Sequence, residues 1–299
     1  MLINETKLIE IFIEIDDFCK SRQIWEQKST FADQKARIPR GVKSKFHPSE
    51  QMTVLILYHQ SGYKCFEYFY AQEVLKSLKS FFPHAVSYER FVARIPQAGM
   101  LMYWFVQFKA AQSDRTGIYF VDSKRIEACH IRREKQHRVF AGIAGKGKSS
   151  MGWFYGLKLH LVVNHLGQIV RFAFSPGHTA DNNTLVLKQL FSRLQGKCVG
   201  DKGYKTALFE TFLAQQLHLI TKIKKNMKNA LMPLADKLLL LKRGVIESIY
   251  DILTSVCDLE HARHRSADNA FVSMFAALAA YSFLDRKPSV KLKNLIANS

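Results

Sequence analysis

The chain has 299 residues, with 44 lysines and arginines against 25 aspartates and glutamates, for a formal net charge of +19. Its hydrophobic fraction of 47% supplies a packed core and excludes general disorder. Folding alone gives no reason for so large a basic surplus, which reads as an electrostatic footprint for nucleic acid. At the N-terminus, Leu8, Ile11, Phe12, Ile15 and Phe18–Cys19 form a helical stripe within residues 4–20. The opening MLINETKLIEIFIEIDD is acidic and lacks a signal peptide's basic start, and the longest apolar run, Phe271–Leu284, is too short to span a bilayer. A cytoplasmic protein with no membrane partner is expected. Pro48-Ser49-Glu50 reads as a helix start, continued by Met52–His59 and ended by Ser61-Gly62. A further helix covers Phe66–Leu78, Ser87–Arg90 opens a short one, and Met100–Ala111 forms another. Short helices with brief turns, and Arg90 and Arg94 one turn apart, fit a helix-turn-helix DNA reader. They fit a plain bundle with solvated arginines equally well.

From residue 114 the texture changes to strands. Gly117–Val121 is a buried strand ending on Asp122, and Arg125–His130 could pair with it. Ile131–Ser150 carries Arg132, Arg133, Lys135, Arg138, Lys146 and Lys148 and reads as a phosphate-contacting loop, the plainer alternative being a solvated face. Trp153–Asn164 is a strand that turns at His165–Gln168 and returns as Ile169–Phe174. Asp181 and Asn182 cap a helix reaching about Leu194. A short strand from Gly196 delivers Asp201, within Val-Gly-Asp-Lys-Gly-Tyr. A helix near Ala207–Leu217, a strand at Leu219–Ile223 and a second basic cluster with Lys224, Lys225 and Lys228 come next. Lys237–Glu260 reads as one long helix and Asp268–Leu284 as an apolar, buried one. The order predicts an α/β protein: an all-α helical domain over 1–113, then a mixed sheet flanked by helices over 114–299.

Two strands that each deliver an aspartate to one edge of a sheet make a place for a divalent cation such as Mg²⁺. A pair of such ions across a phosphodiester, about 3.5–4 Å apart, calls for a third carboxylate. Glu210, Asp236, Glu247, Asp251, Asp258 and Glu260 are the candidates. On the late helix, Val245, Ile249, Leu253 and Val256 make one apolar stripe, while Arg243 and Glu247 lie one turn apart on the other side. That spacing suits a phosphate clamp beside a metal ligand, and also an ordinary ion pair on a solvated face. Trp153 suits stacking on an unpaired base or plain strand packing. Cys19, Cys65, Cys129, Cys198 and Cys257 show no CxxC pair or zinc spacing, so reduced thiols are expected.

The order of Asp122, Asp201 and Arg243-Gly-Val-Ile-Glu247 resembles the DDE transposases of bacterial insertion sequences. Lys146-Gly-Lys-Ser-Ser-Met-Gly-Trp-Phe-Tyr-Gly-Leu-Lys-Leu-His160 and Lys225-Asn-Met-Lys-Asn229 narrow the resemblance to the insertion-sequence-982-type group. The resemblance covers about Gly117–Phe283 and implies an RNase H-like core. In such a core Asp122, Asp201 and Glu247 are the catalytic acids and hold two Mg²⁺ ions per active site, for which Mn²⁺ can substitute. It further implies terminal-repeat and target double-stranded DNA as partners, a homodimer on paired ends, and a nucleoid-associated location. Arg243, Lys124, Arg132, Arg133, Lys146, Lys148, Trp153, Lys224, Lys225 and Lys228 are the expected DNA contacts. Related groups place a tyrosine three positions before the arginine and a lysine seven after the glutamate. Leu240 and Thr254 stand there instead, so those DNA-end contacts do not carry over. A decayed transposase that only binds DNA, and an RNase H-like nuclease without strand transfer, are the alternatives.

Overall fold

The structure is a computed structural model that describes residues 4–28, 44–149, 152–222, 232–260 and 264–291. Its contacts divide the chain into two compact units. The first comprises Met1–Phe108, Ser255–His261 and Arg265–Phe283; the second comprises Lys109–Thr254, Ala262–His264 and Leu284–Ser299. No helix among the described residues is long and apolar enough to cross a membrane.

The first unit is helical. Helix α1 (Glu5–Lys28) buries Leu8, Ile11, Ile15 and Cys19, and α2 (Pro48–Ser61) starts on a proline and stops at Gly62 in the left-handed region, φ 81°. Helix α3 (Phe66–Phe69) runs on into wider turns over Tyr70–Ser77. The two helices suggested at Ser87–Arg90 and Met100–Ala111 are one, α4 (Tyr88–Gln112), with Pro96 inside it. A proline removes one rung of the ladder; buried Phe91 and Ile95 before it and Met102 and Phe105 after it hold both halves to the core. The late helix α9 (Ala267–Ser282), which the sequence groups with the strands, packs in this helical unit. It is buried almost all round from Ala276 to Tyr281, so it belongs inside a bundle. His59 on α2 ties it down, with Nδ1 2.7 Å from the Cys257 carbonyl and Nε2 3.2 Å from Ser273 Oγ.

The second unit is a mixed sheet with helices on both sides. Strand β1 (Ile118–Cys129) is paired antiparallel with β3 (Gly152–Asn164) along nearly all its length. On its other edge β1 pairs with β5 (Gly196–Gly200), in parallel and only from Ile118 to Phe120, and β5 pairs in parallel with β6 (Leu217–Thr221). The far edge of β3 is shared: β2 (Gly145–Ser149) takes Gly152–Gly156, and β4 (Ile169–Pro176) takes Leu157–Val163. On the other edge of β3, Gly156 lets the strand lie close against β1, because a Cβ there would collide with the Ile126 carbonyl. Tyr119, Val121, Val162 and Cys198 on one face pack with Val186, Leu187, Leu190 and Phe191 of α5 (Thr184–Phe191) and Phe212 of α6 (Phe209–Ala214). The run 237–260 is not one helix but α7 (Leu234–Leu241) and α8 (Gly244–Ser255), separated at Lys242-Arg243. The buried stripe of α8 is Ile246, Ile249, Tyr250 and Leu253, so Val256, expected inward, is exposed.

Candidate active site

Asp122 is the fifth residue of β1 and lies within the strand, not at its end. The polar run Ser123-Lys124-Arg125 suggests that the strand stops, but β3 continues to pair with it as far as Cys129. What ends near Asp122 is the partnership with β5: the ladder stops at Phe120↔Val199, and the chain leaves β5 through Asp201 into a turn at Lys202–Tyr204. Both aspartates therefore stand where two parallel strands part at their carboxyl ends, a place where α/β sheets open a crevice.

Strand alternation decides what each side chain meets. Tyr119, Val121 and Ser123 point to the α5 side; Asp122 points the other way, toward α8. There its Oδ2 is 3.0 Å from one guanidinium nitrogen of Arg243, and the other arm of that fork is 2.7 Å from Glu247 Oε1. Arg243 is thus a bridge between two of the three predicted acids, with only 18% of its side chain exposed. Glu247 sits in the first turn of α8, where the helix dipole favours a negative charge. Tyr250, one turn below, is buried, and its hydroxyl donates toward the Asp122 carbonyl (2.8 Å) and the Leu159 carbonyl (3.0 Å). It pins α8 to β1 and β3 at the level of the acid. Sequence reasoning missed it, although its place three residues beyond Glu247 on an amphipathic helix was a usable signal.

Burial pushes the Asp122 carboxyl up to about 6, and the neighbouring charges of Asp181 and Glu247 act in the same direction. The Ser123 N–H, which donates to Oδ1 at 2.9 Å, and Arg243 pull it back down. Carboxylate oxygens are the donors a hard divalent cation takes, and Asp122 and Glu247 offer such oxygens on either side of Arg243; the donor set fits such an ion by its chemistry. Among the described residues, no three His, Cys, Asp or Glu side chains stand together as a ready metal cluster.

Asp181 does not cap α5; Asn183 does, its side chain accepting from Leu185 N and Val186 N. Asp181 turns instead to the sheet, where Ser123 Oγ donates to it at 2.7 Å and Lys158 Nζ at 3.1 Å. His160, fully buried on the same face, has Nε2 2.8 Å from Ser175 Oγ, and burial pushes its pKa down to about 4.

The basic residues are distributed over several elements. Arg132, Arg133 and Lys135 are exposed on a short 3₁₀ turn over Ile131–Gln136. Lys146 and Lys148 are on β2, not on a loop, and both ammonium groups lie over the half-exposed Trp153 ring, at 5.3 and 5.7 Å from its centroid. Lys124 is half-buried on β1, two residues beyond Asp122 and on the same side of the strand. Lys224, Lys225 and Lys228 lie outside the described residues. All five cysteines are free thiols.

Residues 112–267 match the family model described as a transposase DDE domain, a span that takes in all the described strands, Asp122, Asp201 and Glu247. No curated protein matches the chain.

Proposed function

Because the chain belongs to the family of transposases with a DDE domain, we propose that it cuts and rejoins DNA at the ends of a bacterial insertion sequence of the 982 type, with Asp122, Asp201 and Glu247 as its catalytic acids. The observation that carries this is the Asp122–Arg243–Glu247 bridge, which gathers the first acid and two residues 121 and 125 positions beyond it into one ion-paired group. An RNase H-like core is supported by the sheet order, with antiparallel strands on one side of β1 and two parallel strands on the other. Asp122, Asp201 and Glu247 would hold Mg²⁺, or Mn²⁺ in its place, as two ions per site; such ions supply activated water and offset charge at the phosphate. The protein's own part is to keep Asp122 desolvated on a strand braced by Tyr250 and to offer Glu247 from a helix N-terminus. Hydrolysis at the transposon end frees a 3′-hydroxyl, which then attacks target DNA in line. The helical first unit reads the terminal repeats, and two copies hold paired ends.

Labelled terminal DNA from the flanking locus, incubated with the protein and Mg²⁺ and mapped to the nucleotide, tests the reading. Cuts at the element's ends followed by joined products are expected; intact DNA bound by the protein would leave only a decayed transposase. Affinity for that DNA falls steeply as salt rises, since each neutralised phosphate releases counterions. Reversing the charges of Arg132, Arg133 and Lys135 lowers the slope of log affinity against log salt by roughly 0.9 for each phosphate that is no longer neutralised. An unchanged slope would place the DNA on another surface.

A further inference from the structure

Behind Asp122, on the α5 side of the sheet, the apolar face of Tyr119, Val121 and Val162 gives way to polar groups. Ser123, Lys158 and His160 continue that face in strand alternation, and Asp181 meets them from the segment between β4 and α5. Half-buried charges are placed here at the cost of desolvation, so the pairs they make call for a purpose. Helix capping is not that purpose, since Asn183 performs it.

Ser123 is held from two directions. Its N–H donates to Asp122 Oδ1 at 2.9 Å and its hydroxyl donates to Asp181 Oδ1 at 2.7 Å. One residue therefore links the two carboxylates through the strand, with Asp122 on one face and Asp181 on the other. The link falls where β1 has lost β5 as a neighbour, the parallel ladder having ended at Phe120. Asp181 is itself fixed: Lys158 donates to Oδ1 at 3.1 Å and to the Thr179 carbonyl at 2.9 Å, which ties the Asp181 segment to β3. Asp181 also borders the turn of the second acid, because a Cβ added at Gly203, two residues beyond Asp201, would stand 3.4 Å from Asp181 Oδ2. Tyr204 closes the same turn, buried, with its hydroxyl beside the Ser123 side chain.

We infer that Asp181 is a positioning residue for the DNA-cutting reaction: through Ser123 it sets the orientation of the Asp122 carboxylate, and it sets how closely the Asp201 turn approaches β1. This rests on the proposed function. Residues one shell out from a metal-binding carboxylate change metal affinity or activity by about 10–100-fold when lost. Asp181→Ala should therefore lower the cleavage rate at saturating terminal DNA by at least about tenfold, and weaken calorimetric Mn²⁺ binding to the DNA-free protein by a similar factor. The DNA dissociation constant should change by less than about twofold, because no phosphate contact is removed. Asp181→Asn keeps an oxygen that accepts from Ser123, so it should recover most of the rate and the Mn²⁺ affinity. Ser123→Ala should reproduce the loss, and the double variant with Asp181→Ala should be no worse than either single one, as expected for residues acting as one unit. Wild-type protein that cuts, with Asp181→Ala cutting as fast and binding Mn²⁺ as tightly, would overturn this inference alone. So would fully additive losses in the double variant. Wild-type protein that neither binds Mn²⁺ nor cuts would overturn the functional reading, and this inference with it.

Discussion

Glu247→Gln leaves terminal DNA bound and lowers its cleavage by roughly 10²–10³-fold or more, the loss typical when one preorganised charged group is removed from a reaction centre. The substitution keeps the side chain's size on a helix whose buried stripe, Ile246, Ile249, Tyr250 and Leu253, it does not touch. Packing is therefore preserved. What is lost is one negative charge and one anionic oxygen donor beside Arg243, whose guanidinium is 2.7 Å from Glu247 Oε1 in the wild-type protein; the amide oxygen of glutamine still accepts from it. Binding persists and even tightens slightly, because one negative charge near phosphate is gone. Asp251→Asn, one turn further along α8, and Glu260→Gln, beyond its end, are the matched controls and retain most activity. Gel-shift affinity and single-turnover cleavage of the same labelled end separate the two quantities. Normal cutting by Glu247→Gln, with loss in a control, would move the third acid to another turn.

Asp122→Asn abolishes cleavage and makes the folded protein more stable at neutral pH. Burial and two nearby carboxylates raise the Asp122 carboxyl from 3.8 to about 6, so the folded protein holds that proton more tightly than the unfolded chain does. Where the folded state binds more protons, stability falls as pH rises. Asp122 thus costs nothing below about pH 4, costs progressively more up to about pH 6, and costs its full amount above that. Asparagine cannot ionise and escapes the cost. The gain is about 1–2 kcal/mol at pH 7, less than the full shift implies because Arg243 loses a partner. Thermal melts of both proteins from pH 4 to pH 8 should show the midpoint difference growing in favour of Asp122→Asn through that window. A difference independent of pH would show that the carboxylate is not held under strain of this kind.

The strand that carries Asp122, the short strand and turn that deliver Asp201, and the antiparallel hairpin β3–β4 were legible because each is a local signal: an apolar run, a glycine-flanked aspartate, a turn. Legibility failed where partners distant in the chain decide the structure. Ser123-Lys124-Arg125 looks like the end of a strand, yet β3 supplies hydrogen bonds there that no local pattern announces. Leu238–Leu241 looks continuous with the helix after it, and only the arginine–glycine pair at 243–244 marks the break between α7 and α8. Asp181 has the composition of a helix cap and stands two residues too early to be one; its partners Ser123 and Lys158 are 58 and 23 residues away. The Arg243–Glu247 spacing announced a pair on one helix face, but not that the same guanidinium reaches Asp122, 121 residues earlier.

Asp122 reaches α8, and Ser123 reaches Asp181, solely because neighbouring residues of an extended strand face opposite ways. One residue gained or lost between Gly117 and Asp122, with the register to β3 kept up to that point and shifted by one beyond it, would exchange the two sides. The carboxylate would then be delivered among Lys158, His160 and Asp181, and a serine hydroxyl to Arg243. Functional descendants of this sequence must therefore keep the length of that segment fixed, and insertions or deletions should accumulate in its connecting turns instead.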